Sequence, residues 1–322
     1  NPLVLVTHTL PYDWLNPLRG SCQLVVGPEG GKGLTPRLAE HLPEAKALFT
    51  LLVDPITEET LDRAPNLKVV SQMAVGVDNL DVEACTRRGI PVGHTPGVLT
   101  AATADLTWGL LLAVARHVPK SQADARDGRW TTWNPTGWLG ADFDGATLGI
   151  VGMGKIGTAV ARRACGFGLR LRFTNRSPKP EIEQELNAQQ VSLDTLLEES
   201  DFVSLHVPLT EETHLLIDAT ALKKMSSNAI LINAARGRVV DTEALLQALE
   251  EGWIAAAGLD VTDPEPLPPE HNLYKRPNCV ITPHIGSASY NTRRRMAEIA
   301  CQNVLAGLEG TKLPHSVNQT SL

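Results

Sequence analysis

The chain has 322 residues, 43% of them hydrophobic and 20% charged, and 29 basic against 36 acidic side chains give a formal net charge of −7. This length predicts about two globular domains, and the composition excludes a disordered or fibrous protein. The acidic balance argues against nucleic acid as a partner, because phosphate binding needs a basic surface. Since no run of about 18 apolar residues occurs, we also expect no membrane partner.

The cysteines predict a protein of a reducing compartment. There are five, widely spaced and without a C-x-x-C pair, which argues against structural zinc or a redox pair, so we expect no bound metal. Reduced thiols are typical of the cytosol. The N-terminal residues Asn1–Val4 lack the basic region of a signal peptide, and we therefore expect a cytoplasmic protein.

The first hundred residues alternate short apolar runs with amphipathic stretches. The runs that predict strands are Leu3–Val6, Ala47–Val53, Leu67–Val70 and Pro91–Val92, and a helix is predicted over 78–88. Such alternation is typical of βαβ units, in which helices cover both faces of a parallel sheet.

An Ala- and Leu-rich helix is predicted next, over 99–116, and Pro119 is expected to break or kink it. The segment 128–144 then carries Trp130, Trp133 and Trp138. Two interpretations stay open for these tryptophans. They pack an irregular loop, or they form an arm that covers a partner subunit or closes a pocket.

The second half repeats the βαβ pattern with six apolar runs. These predicted strands are Thr147–Val151, Leu169–Thr174, Phe202–Val207, Ala229–Asn233, Ala256–Val261 and Cys279–Thr282. Six strands with intervening helices make a full doubly wound nucleotide-binding domain. A last helix is predicted over 287–308. The predicted fold is therefore α/β, with two doubly wound, Rossmann-like parallel-sheet domains and a cleft between them.

A glycine-rich turn follows the first strand of the second half. Its sequence, Gly152-Met153-Gly154-Lys155-Ile156-Gly157, has the pattern G-x-G-x-x-G and opens a helical repeat. The glycines allow a tight turn, the approach of a pyrophosphate and close packing of helix on strand. The helix N-terminus supplies free N–H groups to phosphates. This context predicts a dinucleotide cofactor.

The end of the next strand distinguishes NAD from NADP. An NAD site places a carboxylate there for the ribose hydroxyls, but no acid occurs before Glu181. Arg176 would instead attract the extra phosphate of NADP, with Asn175 and Ser177 as neutral partners. We therefore expect NADPH to be preferred over NADH. The alternative is that Arg176 is an ordinary solvated side chain.

Three polar residues follow later strands of the same predicted sheet: Arg236, Glu265 and His284. Because ligands of an open α/β sheet bind beyond the carboxyl ends of its strands, all three are expected near the dinucleotide. They suit carbonyl reduction. His284 can donate a proton, Glu265 can orient the imidazole and favour its charged form, and Arg236 can bind a carboxylate. Taken singly, each could equally be structural.

At these residues the chain resembles the D-isomer-specific 2-hydroxyacid dehydrogenases over nearly its whole length. The resemblance is carried by Gly152–Gly157, Ile232–Gly237, Gly258–Val261 with Glu265, and Thr282–Gly286. It implies that Arg236, Glu265 and His284 are the catalytic residues, and that Asp260 contacts the nicotinamide amide. It also implies a substrate-binding, flavodoxin-like domain of residues 1–98 with 286–322, and a dinucleotide-binding domain of residues 99–285.

The resemblance implies further contacts for cofactor and substrate. The remaining cofactor-binding residues are Thr103, Val207, Pro208, Thr213, Ala235 and Gly286, and Arg236 and His284 also contact the cofactor. The substrate-binding residues are Leu52, Val75, Gly76, Trp138, Arg236 and His284. Among these, the backbone N–H groups of Val75 and Gly76 would bind the substrate carboxylate, as a nest with room provided by glycine.

Within the family, the segments Asn175–Ser177, Leu52–Asp54 and Trp138–Gly140 are most similar to glyoxylate and hydroxypyruvate reductases. The resemblance implies NADPH-dependent reduction of these small 2-oxoacids by a homodimer, with Trp138 beside the pocket of the partner subunit. One alternative is a 2-ketoacid reductase of broader or bulkier specificity. Another is a dinucleotide-sensing, corepressor-like binding protein, because such proteins can retain the catalytic residues.

Overall fold

The computed structural model describes residues 1–31 and 33–319. Its strands are β1 (Leu3–Val6), β2 (Gln23–Val26), β3 (Ala47–Thr50), β4 (Val69–Gln72), β5 (Val92–Gly93), β6 (Thr147–Val151), β7 (Arg170–Thr174), β8 (Gln189–Gln190), β9 (Phe202–Leu205), β10 (Ile230–Asn233), β11 (Ala256–Leu259) and β12 (Cys279–Ile281). Its α-helices are α1 (Pro36–Glu40), α2 (Glu58–Asp62), α3 (Val82–Arg87), α4 (Thr100–Ala115), α5 (Val118–Arg126), α6 (Lys155–Ala164), α7 (Pro180–Leu186), α8 (Leu193–Glu199), α9 (Ala219–Lys224), α10 (Thr242–Glu251) and α11 (Tyr290–Glu309).

The chain divides into two compact units, Asn1–Leu99 with Ala288–Leu322, and Thr100–Ser287. Each unit contains one parallel sheet, so the prediction of two parallel-sheet α/β domains is confirmed. The roles predicted for the two domains stay predictions. The last three residues of the predicted range 286–322 lie outside the described residues.

The first unit is built on a sheet with the order β2-β1-β3-β4-β5, in which every pairing is parallel. This is the flavodoxin-like order. Four of its strands overlap the predicted runs, whereas β2 was not predicted. β2 is an edge strand and is only partly buried, and its apolar run is limited to Leu24–Val26, which is shorter than the four-residue run of β1.

Helices cover both faces of this first sheet, as two separate clusters of buried residues show. The long helix α11 packs on β3 and β4, and a Cβ on its Gly307 would lie only 2.4 Å from Val69 Cβ. The predicted helix 78–88 begins four residues later than expected. Its first turn is capped by Asp81, whose Oδ1 accepts the Ala84 N–H at 2.8 Å.

The second unit contains a seven-stranded sheet with the order β12-β11-β10-β9-β6-β7-β8, again entirely parallel. The six predicted strands are confirmed, and β8 is an additional edge strand. Two glutamines form β8, and such a short polar pair carries no strand pattern. The strand order reverses between β6 and β9, which is where open α/β sheets bind their ligands.

Helix α4 packs on β10, β11 and α6 within this unit. Trp108 anchors it, because its indole N–H donates to the Val160 carbonyl at 3.0 Å and its ring stacks on Phe167. The helix ends at Ala115, His117 adopts a left-handed conformation with φ of 54°, and Pro119 lies in the first turn of α5. The helix therefore breaks at 116–117, just before the predicted position, and Pro119 belongs to the next helix. None of the helices in the described part of the chain has the length and apolarity needed to cross a membrane.

Candidate active site

The turns that follow β6, β7, β9, β10, β11 and β12 carry most of the predicted site residues of the second unit. Because the strands are parallel, their carboxyl ends lie at one edge of the sheet. The turns form two groups along this edge. One surrounds the glycine-rich turn after β6, and the other surrounds the turn that carries His284.

The three glycines of the glycine-rich turn are needed for different reasons. A Cβ on Gly152, where φ is 96°, would lie 2.8 Å from Val207 Cγ1, and one on Gly157 would lie 2.1 Å from the Gly152 carbonyl oxygen. Gly154 instead is exposed and has no atom within 4 Å of its Cβ direction. Packing therefore requires Gly152 and Gly157, while the open space at Gly154, beside the start of α6, fits a pyrophosphate.

Asn175 joins the turn after β7 to the glycine-rich turn. Its Oδ1 accepts the Met153 N–H at 3.1 Å, and its Nδ2 donates to the Ser177 carbonyl at 2.7 Å. The Met153 side chain is buried in the core and its N–H is bonded to Asn175. The side-chain amide of Asn175 therefore holds the binding turn together, a structural task that sequence analysis did not predict.

Arg176, next along this turn, is exposed. Within the part of the chain that the structure describes, no hydrogen bond or salt bridge engages its guanidinium. The pKa of Glu212 is lowered, chiefly by the hydrogen bond from Thr210 Oγ1 at 2.7 Å and to a smaller extent by the positive charge of Arg176. Arg176 thus presents an available cation beyond β7, as an extra phosphate would need.

The turn after β9 contains the predicted residues Val207, Pro208 and Thr213. The Thr213 hydroxyl donates to the Pro208 carbonyl at 2.6 Å and accepts the Thr210 N–H at 2.8 Å, which closes the turn. The preceding His206 contacts Ser204 Oγ through Nε2 at 2.8 Å. Burial lowers the pKa of His206 to about 3, so this imidazole stays neutral.

His284 and Glu265 form a pair, with 2.6 Å between His284 Nδ1 and Glu265 Oε1. Since a carboxylate only accepts, Nδ1 carries the proton, and a second proton on the charged ring would reside on Nε2. The backbone of His284 is left-handed, with φ of 51°. Its side chain remains 26% exposed. The pair can therefore deliver a proton from Nε2.

Asp260 holds the turn that carries His284. The residue is 2% exposed, and its Oδ1 accepts the Thr282 hydroxyl at 2.6 Å and the Ile285 N–H at 2.8 Å. Its Oδ2 accepts the Gly286 N–H at 2.8 Å. A Cβ on Gly286 would lie 3.1 Å from Oδ2 and 3.4 Å from Thr103 Cγ2. Asp260 thus positions His284, whereas its contact with nicotinamide stays a prediction.

Asn233 holds the turn that carries Arg236. This buried amide accepts the Ala235 N–H at 3.0 Å and donates to the Arg236 carbonyl at 2.9 Å, and Arg236 Nη1 donates to the Ala235 carbonyl at 2.8 Å. A Cβ on Gly237 would lie 1.9 Å from the backbone carbonyl oxygen of Thr262. Gly237 therefore allows the Arg236 turn to contact the loop that leads to Glu265.

The role of Asn233 was not predicted from the sequence. The available signal was a polar side chain ending the apolar run Ile230–Asn233. A polar residue that is buried at the end of such a strand must be hydrogen-bonded locally. The polar Asn233 therefore indicates a turn that is held together by a side chain.

The remaining predicted substrate residues lie elsewhere in the chain. Leu52 follows β3, and Val75 and Gly76 follow β4, all in the first unit. Trp138 has φ of 59°, and the Lys120 ammonium lies 5.6 Å from its ring centre. Trp130 and Trp133 are 72% and 79% exposed. Packing within this chain therefore does not account for these last two tryptophans.

The chain is similar to known proteins over most of its length. Residues 108–286 match the family model of the D-isomer specific 2-hydroxyacid dehydrogenase NAD binding domain. A glyoxylate reductase of Korarchaeum cryptofilum is 48% identical over 99% of this chain and 96% of its own. A crystal structure of a protein from Thermus thermophilus has 52% identity and a TM-score of 0.92, covering 98% of this chain and 100% of that one.

A further solved structure is an NADPH-dependent glyoxylate/hydroxypyruvate reductase from Sinorhizobium meliloti. It has 31% identity and a TM-score of 0.85, and the match covers 98% of each chain. The family model spans the glycine-rich turn and the Arg236, Glu265 and His284 turns. The chain belongs to the D-isomer-specific 2-hydroxyacid dehydrogenase family, in its glyoxylate reductase branch, and is an oxidoreductase of CH–OH donors that uses a nicotinamide dinucleotide.

Proposed function

We propose that the enzyme reduces glyoxylate to glycolate and hydroxypyruvate to D-glycerate, with NADPH preferred over NADH. The observation that carries this proposal is the 2.6 Å pair of His284 and Glu265 at the strand edge that also bears Arg236 and the glycine-rich turn. These are the groups that reduction of a 2-oxoacid requires: a proton donor, a cation for the carboxylate and a dinucleotide site. The names of the relatives from Korarchaeum cryptofilum and Sinorhizobium meliloti support the choice of substrates.

When bound, the nicotinamide supplies a hydride to the carbonyl carbon. His284 gives the proton on Nε2 to the carbonyl oxygen, so that the ketone or aldehyde gains one hydride and one proton and becomes an alcohol. Glu265 holds the Nδ1–H and stabilises the charged ring until the proton leaves. Arg236 binds the substrate carboxylate and polarises the carbonyl. The N–H groups of Val75 and Gly76 bind the same carboxylate.

Cofactor binding is assigned to the turns of the second unit. The Gly152–Gly157 turn and the N-terminus of α6 hold the pyrophosphate. Arg176 binds the extra phosphate of NADPH, which is supported by its exposure and by the lack of any carboxylate between the end of β7 and Glu181. Thr103, Asp260 and Gly286 are assigned to the nicotinamide end.

We further propose a homodimer in which the segment 128–144 lies against the partner. The exposure of Trp130 and Trp133 supports this arrangement, because large exposed aromatic side chains are typical of interfaces. In the dimer, Trp138 lies beside the partner's substrate pocket. Sedimentation of the wild type and of the double variant Trp130→Ser/Trp133→Ser tests it: dimers that dissociate in the variant are expected, and a monomeric wild type contradicts the arrangement.

The activity is tested by following loss of NADPH absorbance with glyoxylate, hydroxypyruvate, pyruvate and phenylpyruvate, with NADH in parallel. Fast turnover of the two small substrates with NADPH is expected. Turnover of phenylpyruvate alone would indicate a bulkier specificity on the same mechanism. Tight NADPH binding without turnover of any substrate would indicate a sensor. His284→Gln should lower kcat by roughly 10²- to 10⁴-fold while NADPH still binds.

A further inference from the structure

In the turn after β4, the backbone carbonyl groups of Ala74, Val75 and Gly76 are hydrogen-bonded to other residues of the protein. The Ala74 oxygen accepts the Thr95 N–H at 2.8 Å, and the Val75 oxygen lies 2.9 Å from His94 Nδ1. The Gly76 oxygen accepts the Gln72 amide at 3.4 Å. Within residues 1–31 and 33–319, the N–H groups of Val75 and Gly76 meet no hydrogen-bond acceptor.

Peptide geometry links these carbonyls to the N–H groups. A trans peptide is planar, and its C=O and N–H point in opposite directions. The contact at the Ala74 oxygen therefore fixes the direction of the Val75 N–H. In the same way, the contact between His94 and the Val75 oxygen fixes the direction of the Gly76 N–H. Because a carbonyl only accepts, His94 Nδ1 carries the proton in this contact.

The backbone of His94 is itself held in place by the C-terminal part of the same unit. Its carbonyl accepts the Asn303 amide at 3.0 Å, and its N–H donates to the His315 carbonyl at 3.1 Å. The buried Asn303 leaves no room for a side chain at Gly93, where a Cβ would lie 2.7 Å from Asn303 Cβ. The imidazole therefore extends from a fixed backbone toward the turn.

We propose that His94 is a positioning residue for substrate binding. It acts by bonding to the Val75 carbonyl, which orients the Gly76 N–H. The inference rests on the proposed function, in which Val75 and Gly76 bind the substrate carboxylate. A free turn would lose this orientation, since both peptide planes could rotate when no ligand is bound. The Thr95 N–H removes that freedom for the Ala74–Val75 peptide, and His94 removes it for the Val75–Gly76 peptide, before the substrate arrives.

The test compares His94→Leu, which lacks a donor, with His94→Asn, whose Nδ2–H can take the place of Nδ1–H. For His94→Leu we expect the KM for glyoxylate and the Kd of oxamate, measured with NADPH present, to rise about 10-fold or more. The kcat should change little, because carboxylate binding is shared by ground state and transition state. His94→Asn should restore both constants. The Kd of NADPH should stay constant, because His94 lies outside the unit that carries the glycine-rich turn.

His41→Leu is the matched control. His41 is a half-buried histidine of the same unit, and its side chain makes no hydrogen bond within the described part of the chain. The proposal is overturned if His94→Leu keeps the wild-type KM and oxamate affinity, or if His94→Asn is as impaired as His94→Leu. A wild type that reduces no 2-oxoacid and binds no oxamate would instead contradict the proposed function.

Discussion

The turn after β12 and the turn after β4 differ in which of their backbone groups are hydrogen-bonded within the protein. In the first, the N–H groups of Ile285 and Gly286 are bound by the buried carboxylate of Asp260. In the second, the carbonyls of Ala74 and Val75 are bound, and the N–H groups that follow them meet no acceptor within the described residues. The carboxylate of Asp260 thus bonds the N–H groups of one turn, whereas the other turn keeps its N–H groups open, as the proposed binding of a substrate carboxylate needs.

This difference explains what each turn presents. The N–H groups of Ile285 and Gly286 are already bonded to Asp260, so the group that the turn after β12 can offer to a ligand is the side chain of His284. The turn after β4 keeps its N–H groups, so its side chains can be small and apolar, as in Ala74-Val75-Gly76. A polar group that is buried without a partner is costly. The buried Gly286 N–H avoids that cost by donating to Asp260, whereas Val75 and Gly76 are only half-buried.

Among the variants that alter how the turns are held rather than the proton donor itself, the largest effect is expected for Asp260→Asn. The amide presents an N–H to the Gly286 N–H, so one buried donor loses its acceptor at a cost of about 1–3 kcal/mol. His284 is then displaced, and a shift of about 1 Å can lower kcat roughly 10²-fold. The measurements are kcat and urea unfolding. Asp201→Asn is the control, since Asp201 accepts the Thr147 N–H at the start of β6; an equal loss of kcat there would contradict the positioning role.

Arg176→Ala tests whether a side chain, rather than backbone N–H groups, donates hydrogen bonds to the extra phosphate of NADPH. The loss of one charge-assisted hydrogen bond should raise the Kd of NADPH roughly 10- to 100-fold and leave that of NADH nearly unchanged. Fluorescence titration with both cofactors measures it. Arg172→Ala on β7, where Arg172 pairs with Glu199 at 2.9 Å, is the control. Equal weakening of both cofactors would assign Arg176 a general role instead.

Two alanine variants separate a glycine that serves a ligand from one that serves packing. Gly154→Ala adds a Cβ into open space, so the free energy of unfolding should stay within about 1 kcal/mol of wild type. The same Cβ should obstruct the pyrophosphate and weaken NADPH binding about 10-fold. Gly157→Ala should instead destabilise the fold, because its Cβ meets the Gly152 carbonyl. Unchanged cofactor binding in Gly154→Ala would contradict the assigned pyrophosphate position.

His206 predicts a smaller, pH-dependent effect on stability. Its pKa is about 3 in the folded protein and about 6.5 in the unfolded chain. The unfolded state therefore gains a proton as the pH falls below about 6.5, which favours unfolding. Between pH 7 and pH 5 this removes about 2 kcal/mol of stability. Urea unfolding of wild type and His206→Asn at both pH values measures it, and equal losses in the two proteins would show that His206 does not contribute.

Much of the fold could be predicted because its signals are local. Buried parallel strands are short apolar runs, so β6, β9, β10 and β11 were visible in the sequence. The two unpredicted strands, β2 and β8, are edge strands of the two sheets. The edge strands β5 and β12 were predicted, so edge position alone is not the reason: β2 has an apolar run of only three residues, Leu24–Val26, and β8 consists of two glutamines.

The sequence by itself determined the glycine-rich turn and the polar residues that end its strands, because glycine spacing and strand polarity act within a few residues. Only the tertiary structure decided which partners these residues have. Asp260 meets Gly286 26 residues away, and Asn175 meets Met153 22 residues away. Such contacts depend on the order and register of parallel strands, which bring distant turns to one edge of a sheet.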